Sequence, residues 1–356
     1  MAQQKARIGF IGTGWWATAN HLPILAQRED VDLVAVCRLG RAELLEVQNR
    51  FGFSFATEDY RELLETQELD GVVVASPHTL HAEHAAAALE RGLPVMCEKP
   101  MTTRAEDARR LVRLADERNL PLVIPYGWHH KPFIREARRH LQAGAIGTIE
   151  FAQCHMASPI RSLLVGDFTP ADIAGGQAGE TAFAPAASTW ADPEIAGGGY
   201  GLAQITHSSG LLFWLTELQP TQVFALMAAP GSRVELYDAL SVHFEGGAVG
   251  SISGAGTVPP NSGFQLGIRL FGSEGMLLLD IERERMEVRR DDGEDVVLDL
   301  AAGAGDYSCD GPPNNFIDLI LGKTEENLTP GWAALRSVEL LDAAYRSARS
   351  GQLEAV

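Results

Sequence analysis

Cysteine is scarce in this chain of 356 residues: Cys37, Cys97, Cys154 and Cys309 are all there is. No two have CxxC spacing, and no Cys/His cluster has the spacing of a zinc finger. Neither a disulfide scaffold nor a metal site is expected, and a reducing compartment, the cytoplasm, fits. No apolar run reaches the ~18 residues a membrane-spanning helix needs. Met1 to Arg7 is polar and runs straight into a strand, so no signal peptide is expected. Positive charge is also in short supply. Lys and Arg number 29 against 47 Asp and Glu, for a net charge of −18. The acidic residues are spread along the chain, which argues against nucleic acid and anionic membrane as partners. There is no internal repeat and no low-complexity tail. What remains is ordinary globular material, 46% hydrophobic and 21% charged. A single core rarely serves more than ~250–300 residues, so two domains are expected.

The first 125 residues alternate apolar runs with helical patterns. Strands are read at Arg7–Ile11, Asp32–Cys37, Gly71–Ser76, Pro94–Cys97 and Leu122–Pro125. Between them lie helices running to about Arg28 and over Arg41–Phe51, His81–Arg91 and Arg104–Arg118. Apolar strands without alternation, separated by helices, imply parallel βαβ units and a doubly wound α/β sheet. The remainder, 126–356, reads as an α+β domain. Thr148–Met156 is strand-like and Ala157–Gly199 is a long loop or cap rich in Gly, Ala and Pro. Gly201–Thr216 is helical, and consecutive strands with short turns run from Gln219 to about Leu300. Such a run makes a mainly antiparallel sheet. Phe316–Leu321 and Ala333–Ser350 are closing helices, the last free to pack back on the first domain.

Gly12-Thr13-Gly14-Trp15-Trp16-Ala17 fits G-x-G-x-x-A between the first strand and the first helix. The first glycine makes a tight turn, the second lets backbone approach a pyrophosphate, and the small third residue packs helix on strand. In this context the motif indicates a Rossmann domain binding NAD or NADP. The acidic partner of the ribose should cap the second strand, but Asp32 stands at the wrong end of it. Arg38 follows Cys37, with Arg41 close behind. An arginine there can pair with a 2′-phosphate, which tilts the choice toward NADP over NAD.

Cys97-Glu98-Lys99-Pro100, taken with the glycine turn, Ser76-Pro77-His78-Thr79-Leu80-His81 and Ala145-Ile146-Gly147, resembles the glucose–fructose oxidoreductase and inositol dehydrogenase (Gfo/Idh/MocA) family. Gly197-Gly198-Gly199, His207 and Gly272–Asp280 extend the likeness into the second half. The resemblance implies an enzyme, an NAD(P)-dependent dehydrogenase or reductase acting on CH–OH groups. Lys99 would hydrogen-bond the substrate hydroxyl at the carbon that loses hydride, and Pro100 would follow a cis peptide. Glu98 would contact the ribose or hold the lysine. Pro77 and His81 would line the nicotinamide side, with Ser76 beside them. From the residues alone, Lys99-Pro100 stands at a parallel strand's C-terminal end, where open α/β sheets bind ligands.

The resemblance makes His207 the candidate general acid or base, a residue type whose unperturbed pKa of ~6.5 suits proton transfer. Polyol-oxidising members often carry an Asp four residues earlier, where this chain has Ala203. Tyr200, one turn further back, can replace part of its binding role. The family often has an arginine at the entry to the second domain, where Tyr126-Gly127-Trp128-His129-His130-Lys131 stands, with His129 opposite it. Tyr126, Trp128 and His129 are expected to face substrate. Ser158–Glu194 is expected to fold over the site, with Arg161 clamping an anionic group and Trp190 stacking on a sugar face. Cys309-Asp310-Gly311-Pro312 is a tight loop of unassigned use.

The reading is an oxidoreductase moving hydride at a secondary alcohol or ketone of a sugar, sugar derivative or cyclitol. Ala203 keeps open a redox-assisted glycoside hydrolase, which oxidises transiently and eliminates the aglycone. A non-catalytic dinucleotide sensor or scaffold is the third alternative. The family's open sheet, with one uncovered face, implies a homodimer or homotetramer.

Overall fold

A computed structural model describes residues 5–168, 183–259 and 263–356. The chain forms two compact units. The first holds Met1–Pro125, Phe168–Thr189 and Cys309–Leu335; the second holds Tyr126–Asp167, Trp190–Ser308 and Arg336–Val356.

In the first unit, six strands form one sheet: β1 (Ala6–Ile11), β2 (Val31–Cys37), β3 (Phe55–Thr57), β4 (Gly71–Val74), β5 (Val95–Cys97) and β6 (Leu122–Val123). Their order is β3-β2-β1-β4-β5-β6, and every pairing is parallel. This is the doubly wound nucleotide-binding order. The central strands are buried on both faces, Ile8, Phe10 and Val72 to Val74 having no exposure. That is why they read as unbroken apolar runs. The core around Ile8, Phe10, Leu22, Val36, Val73 and Met96 is completed by Phe316 and Ile317 from the helix Gly311–Ile320.

Two elements of this unit were not anticipated: β3 and the helix Tyr60–Thr66. The first helical segment is also less regular than expected. A π-helical turn, Ala17–His21, precedes the α-helix Leu22–Ala26. Pro23 has no N–H to donate to Ala19, and the widened turn absorbs the lost bond.

The second unit is built on nine strands. These are β7 (Ile149–Ala157), β8 (Pro220–Ala228), β9 (Tyr237–Phe244), β10 (Val249–Ala255), β11 (Gln265–Gly272), β12 (Gly275–Asp280), β13 (Arg285–Arg290), β14 (Val296–Asp299) and β15 (Glu354–Ala355). The order is β14-β13-β12-β11-β7-β10-β9-β8-β15. Among the described strands of this sheet only β7 and β10 pair in parallel, so it is mainly antiparallel. Burial alternates along β9 and β11, the mark of a sheet with one covered face. Leu240, Val242, Ile252, Ile268 and Leu270 are buried, while Phe151, Phe224, Leu226, Val249 and Phe271 are exposed.

The helix Thr206–Thr216 is buried almost throughout and follows a second π-helical turn, Gly201–Ile205. The amphipathic helix Pro132–Gln142, which opens on a proline, was not anticipated either. Short helices occupy Arg161–Val165, Ala187–Ala191 and Pro193–Ala196 within the stretch read as a loop or cap. Part of the expected cover, 169–182, lies outside the described residues. Among the described residues no helix is long and apolar enough to cross a membrane.

Candidate functional site

In the first unit the ends of β1, β2, β4 and β5 gather the sequence motifs. Gly12 leaves β1 with φ +87°, and its N–H bonds the Cys37 carbonyl at 2.8 Å. A Cβ on Gly12 would lie 2.3 Å from the Ser76 nitrogen, so only glycine lets this turn pass the end of β4. Gly14 is exposed, with nothing within 4 Å of where its Cβ would stand. The half-buried rings of Trp15 and Trp16 follow, edge to face at 5.5 Å, and Ala17 is buried. A bare backbone turn opening a helix fits the pyrophosphate of a dinucleotide.

Arg38 is half-buried at the end of β2. It donates to the Thr13 carbonyl at 2.9 Å, and its guanidinium lies 4.4 Å from the centre of the Phe183 ring. Asp32 is at the strand's far end, paired with Lys5 at 3.0 Å. Arg41 is exposed at the start of the following helix.

Glu98 and Lys99 follow β5 and are both buried, at 8% and 7% exposure. The Lys99–Pro100 bond is cis. One Glu98 oxygen meets His21 Nε2 at 2.6 Å, and the other accepts the Lys99 backbone N–H at 2.9 Å. Burial works to raise the Glu98 pKa. The His21 hydrogen bond and the neighbouring positive charges outweigh it and hold the carboxyl below its usual value. Burial lowers the Lys99 pKa, while the charges of Glu98 and Cys309 oppose this. The Cys309 thiol is pushed up to about 12, by burial first and then by Glu98 and Asp310.

Ser76 and Pro77 lie just beyond the end of β4. The Ser76 Oγ lies 2.9 Å from His84 Nδ1, and burial takes His84 down to about 4. His81 is fully buried, its Nδ1 2.8 Å from the Pro100 carbonyl and its Nε2 2.8 Å from the Ser76 carbonyl. His21 and Cys309 were missed as neighbours of the Glu98–Lys99 pair. Position in the chain gave no sign of either; a histidine within an apolar helix and the odd Cys309-Asp310 loop were the only cues.

In the second unit an aromatic cluster surrounds His207. Its ring lies 5.6 Å from Tyr126, 5.8 Å from Trp128 and 5.4 Å from Tyr307. Tyr126 bonds Thr206 through its hydroxyl at 2.9 Å and stacks on His129 at 5.2 Å. His129 is fully buried, and burial holds its pKa well below the usual value. His130 is taken down to about 4 for the same reason. Trp128 donates to the Gly305 carbonyl at 3.0 Å, with Phe264 and Tyr307 against its ring. Tyr307 and Phe264 were missed; nothing local distinguishes them.

Tyr200 is fully buried, its hydroxyl within 3.0 Å of Ser158 Oγ and 3.2 Å of the Met156 carbonyl. Ala203 is buried as well. Arg161 donates to the Pro230 carbonyl at 3.0 Å, and Trp190 is half-buried. The Gly199 and Gly201 N–H groups, which lead into the helix carrying His207, donate to the buried Glu235 carboxyl at 2.8 and 3.0 Å. Tyr345 donates to the same group at 2.5 Å. Asp238 is also buried, and its oxygens have no hydrogen-bond partner among the described residues. No group of three or more His, Cys, Asp or Glu is arranged to hold a metal among them.

The 3-2-1-4-5-6 sheet and its glycine turn define a dinucleotide-binding Rossmann protein. More specifically, the chain belongs to the GFO/IDH/MocA oxidoreductase family. Residues 6–126 match its NAD-binding Rossmann fold, and residues 134–278 match its C-terminal domain.

Among characterised relatives, an NADP(+)-dependent D-xylose 1-dehydrogenase of Haloarcula marismortui is 29% identical over 161 residues, 44% of this chain and 45% of that protein. A D-glucoside 3-dehydrogenase of Escherichia coli is 35% identical over 153 residues, 42% of each chain. The matches thus span less than half the length of these relatives. In overall fold the chain is similar to a levoglucosan dehydrogenase solved with NADH and L-sorbose. The TM-score is 0.79 at 18% identity, covering 99% of both chains. It is also similar to GenD2 from gentamicin A biosynthesis, solved with NAD, with a TM-score of 0.76 at 22% identity over 99% of this chain and 97% of that one.

Proposed function

We propose that this protein is an NAD(P)-dependent dehydrogenase or reductase acting at a secondary alcohol or ketone of a sugar, sugar derivative or cyclitol. The observation that carries the reading is the buried Lys99, next to the end of β5 in the unit that presents the glycine turn. An amine that burial makes less basic can take a proton from a hydroxyl and return it to a developing alkoxide. Glu98, anchored by His21 and by the Lys99 N–H, holds the backbone of that turn.

Gly12, Gly14, Trp15, Trp16 and Ala17 would hold the dinucleotide's pyrophosphate, Arg38 its adenosine ribose, and Ser76, Pro77, His81 and Glu98 the nicotinamide end. A bound nicotinamide ring supplies the hydride acceptor or donor; the chain's residues handle the proton. Arg38 favours NADP, because its guanidinium is charged and the residue that follows β2 is this arginine rather than an acidic one. The dehydrogenase of Haloarcula marismortui, named for NADP(+), supports this choice.

The first unit is assigned to the dinucleotide and the second to substrate and assembly. His207, with Tyr126, Trp128 and His129 packed together beside it, is the second unit's candidate for contact with sugar; Tyr200, Arg161 and Trp190 belong to the same proposal. The exposed Phe151, Phe224, Leu226, Val249 and Phe271 on one sheet face support pairing of two copies. Four free, buried cysteines agree with work in the cytoplasm.

The test is absorbance of reduced nicotinamide with a panel of aldoses, glucosides, sugar acids and cyclitols. Net NAD(P)H formation is expected with at least one class. Cofactor binding without turnover on any of them, in either direction, would refute the reading.

A further inference from the structure

His81 presents a proton count that a neutral imidazole cannot meet. Both ring nitrogens stand 2.8 Å from carbonyl oxygens, Nδ1 from Pro100 and Nε2 from Ser76. A carbonyl only accepts, and a neutral ring has one N–H. With one proton, the other nitrogen would set its lone pair against a carbonyl oxygen. The ring has no exposure, so solvent cannot take over the lost bond.

We infer that His81 is held as an imidazolium and acts as a positioning residue, tying the Lys99–Pro100 turn to the end of β4. The titratable groups around it are Glu98 and Lys99 on that turn and His78 and His84 on its own turn and helix, His84 being uncharged at neutral pH because burial takes it down to about 4. Burial, the largest influence, and the Lys99 charge hold the ring's pKa below its usual value, while the two carbonyls and Glu98 work to raise it. The geometry decides for the charged ring, because only that form satisfies both contacts at once. The consequence falls on Lys99. A second fixed cation in its neighbourhood makes the amine easier to deprotonate.

The protonation state is independent of the activity proposed above; its effect on turnover rests on that reading. Nitrogen-15 NMR of histidine-labelled wild-type protein at neutral pH tests the first. One buried ring should show both nitrogens protonated and slowly exchanging, its signal absent from His81→Gln or, if that chain does not fold, from His81→Asn. A single protonated nitrogen would overturn the inference whether or not a substrate has been found.

The pH profile of kcat/KM then tests the consequence. In His81→Gln the Lys99 limb should move to higher pH, by enough to lower turnover about tenfold at neutral pH. A limb that stays in place would reduce His81 to packing.

Discussion

In the proposed reaction Lys99 is the residue on which the chemistry turns. Lys99→Ala is expected to lower turnover by about 10²–10⁴, the usual worth of a positioned proton donor or acceptor. Cofactor affinity by isothermal titration should hold, because Gly12 to Ala17 are a separate turn. Lys99→Arg should rescue little, since a guanidinium stays charged at any working pH. Burial lowers the lysine's pKa from 10.5, so oxidation should accelerate as pH rises through a value below that and then level off. A rate independent of pH across the alkaline range would remove the amine from proton transfer. Arg38→Asp should turn the cofactor preference toward NAD; a charge-assisted contact is worth about 1.5–3 kcal/mol, or about 10–150-fold in the ratio of kcat/KM. The places of Gly12 and of Lys99-Pro100 were legible because glycine marks backbone that other residues cannot adopt and proline fixes its own φ. The His21–Glu98 contact was not, because 77 residues separate the partners and neither announces the other.

At the scale of elements, legibility followed length and burial. β1, β2, β4 and β5 were readable as apolar runs because both their faces are covered. β3 has three residues at the sheet edge and leaves no run to see. The helix Pro132–Gln142 carries its apolar face on Phe133, Ile134 and Ala137, too few to stand out among its charges. The start of the His207 helix yields a prediction of its own. Asp238 and Glu235 are buried together, and burial with mutual repulsion raises the Asp238 pKa well above its usual value. A carboxyl that keeps its proton only when folded costs stability as pH climbs above its unfolded value of ~3.9. Asp238→Asn cannot ionise, so it should raise Tm, and by more at pH ~8 than at pH ~5. An equal effect at both values would mean that Asp238 does not carry this cost.

For the whole molecule, the proposed pairing of copies rests on the sheet face of the second unit that carries exposed apolar residues. Phe151 and Phe271 lie side by side there, ring centres 6.0 Å apart. If that face joins two copies, Phe151→Glu with Phe271→Glu should yield monomers in sedimentation, with cofactor binding retained. Unchanged sedimentation would place the interface elsewhere. The interleaving of the two units has a different kind of consequence, one of timing. The core that begins with Ala6 and Ile8 is finished only by Phe316 and Ile317. At ordinary rates of translation the interval between those ends is roughly 15–60 s. During it the N-terminal sheet is a nascent structure with an unfilled hole beside Gly71, where Ile320 and Phe316 will seat. A ribosome stalled before Cys309 should therefore present a first unit that proteases cut readily. Release of the segment from Cys309 onward should make it resistant, so that birth from the N-terminus does not mean folding from the N-terminus.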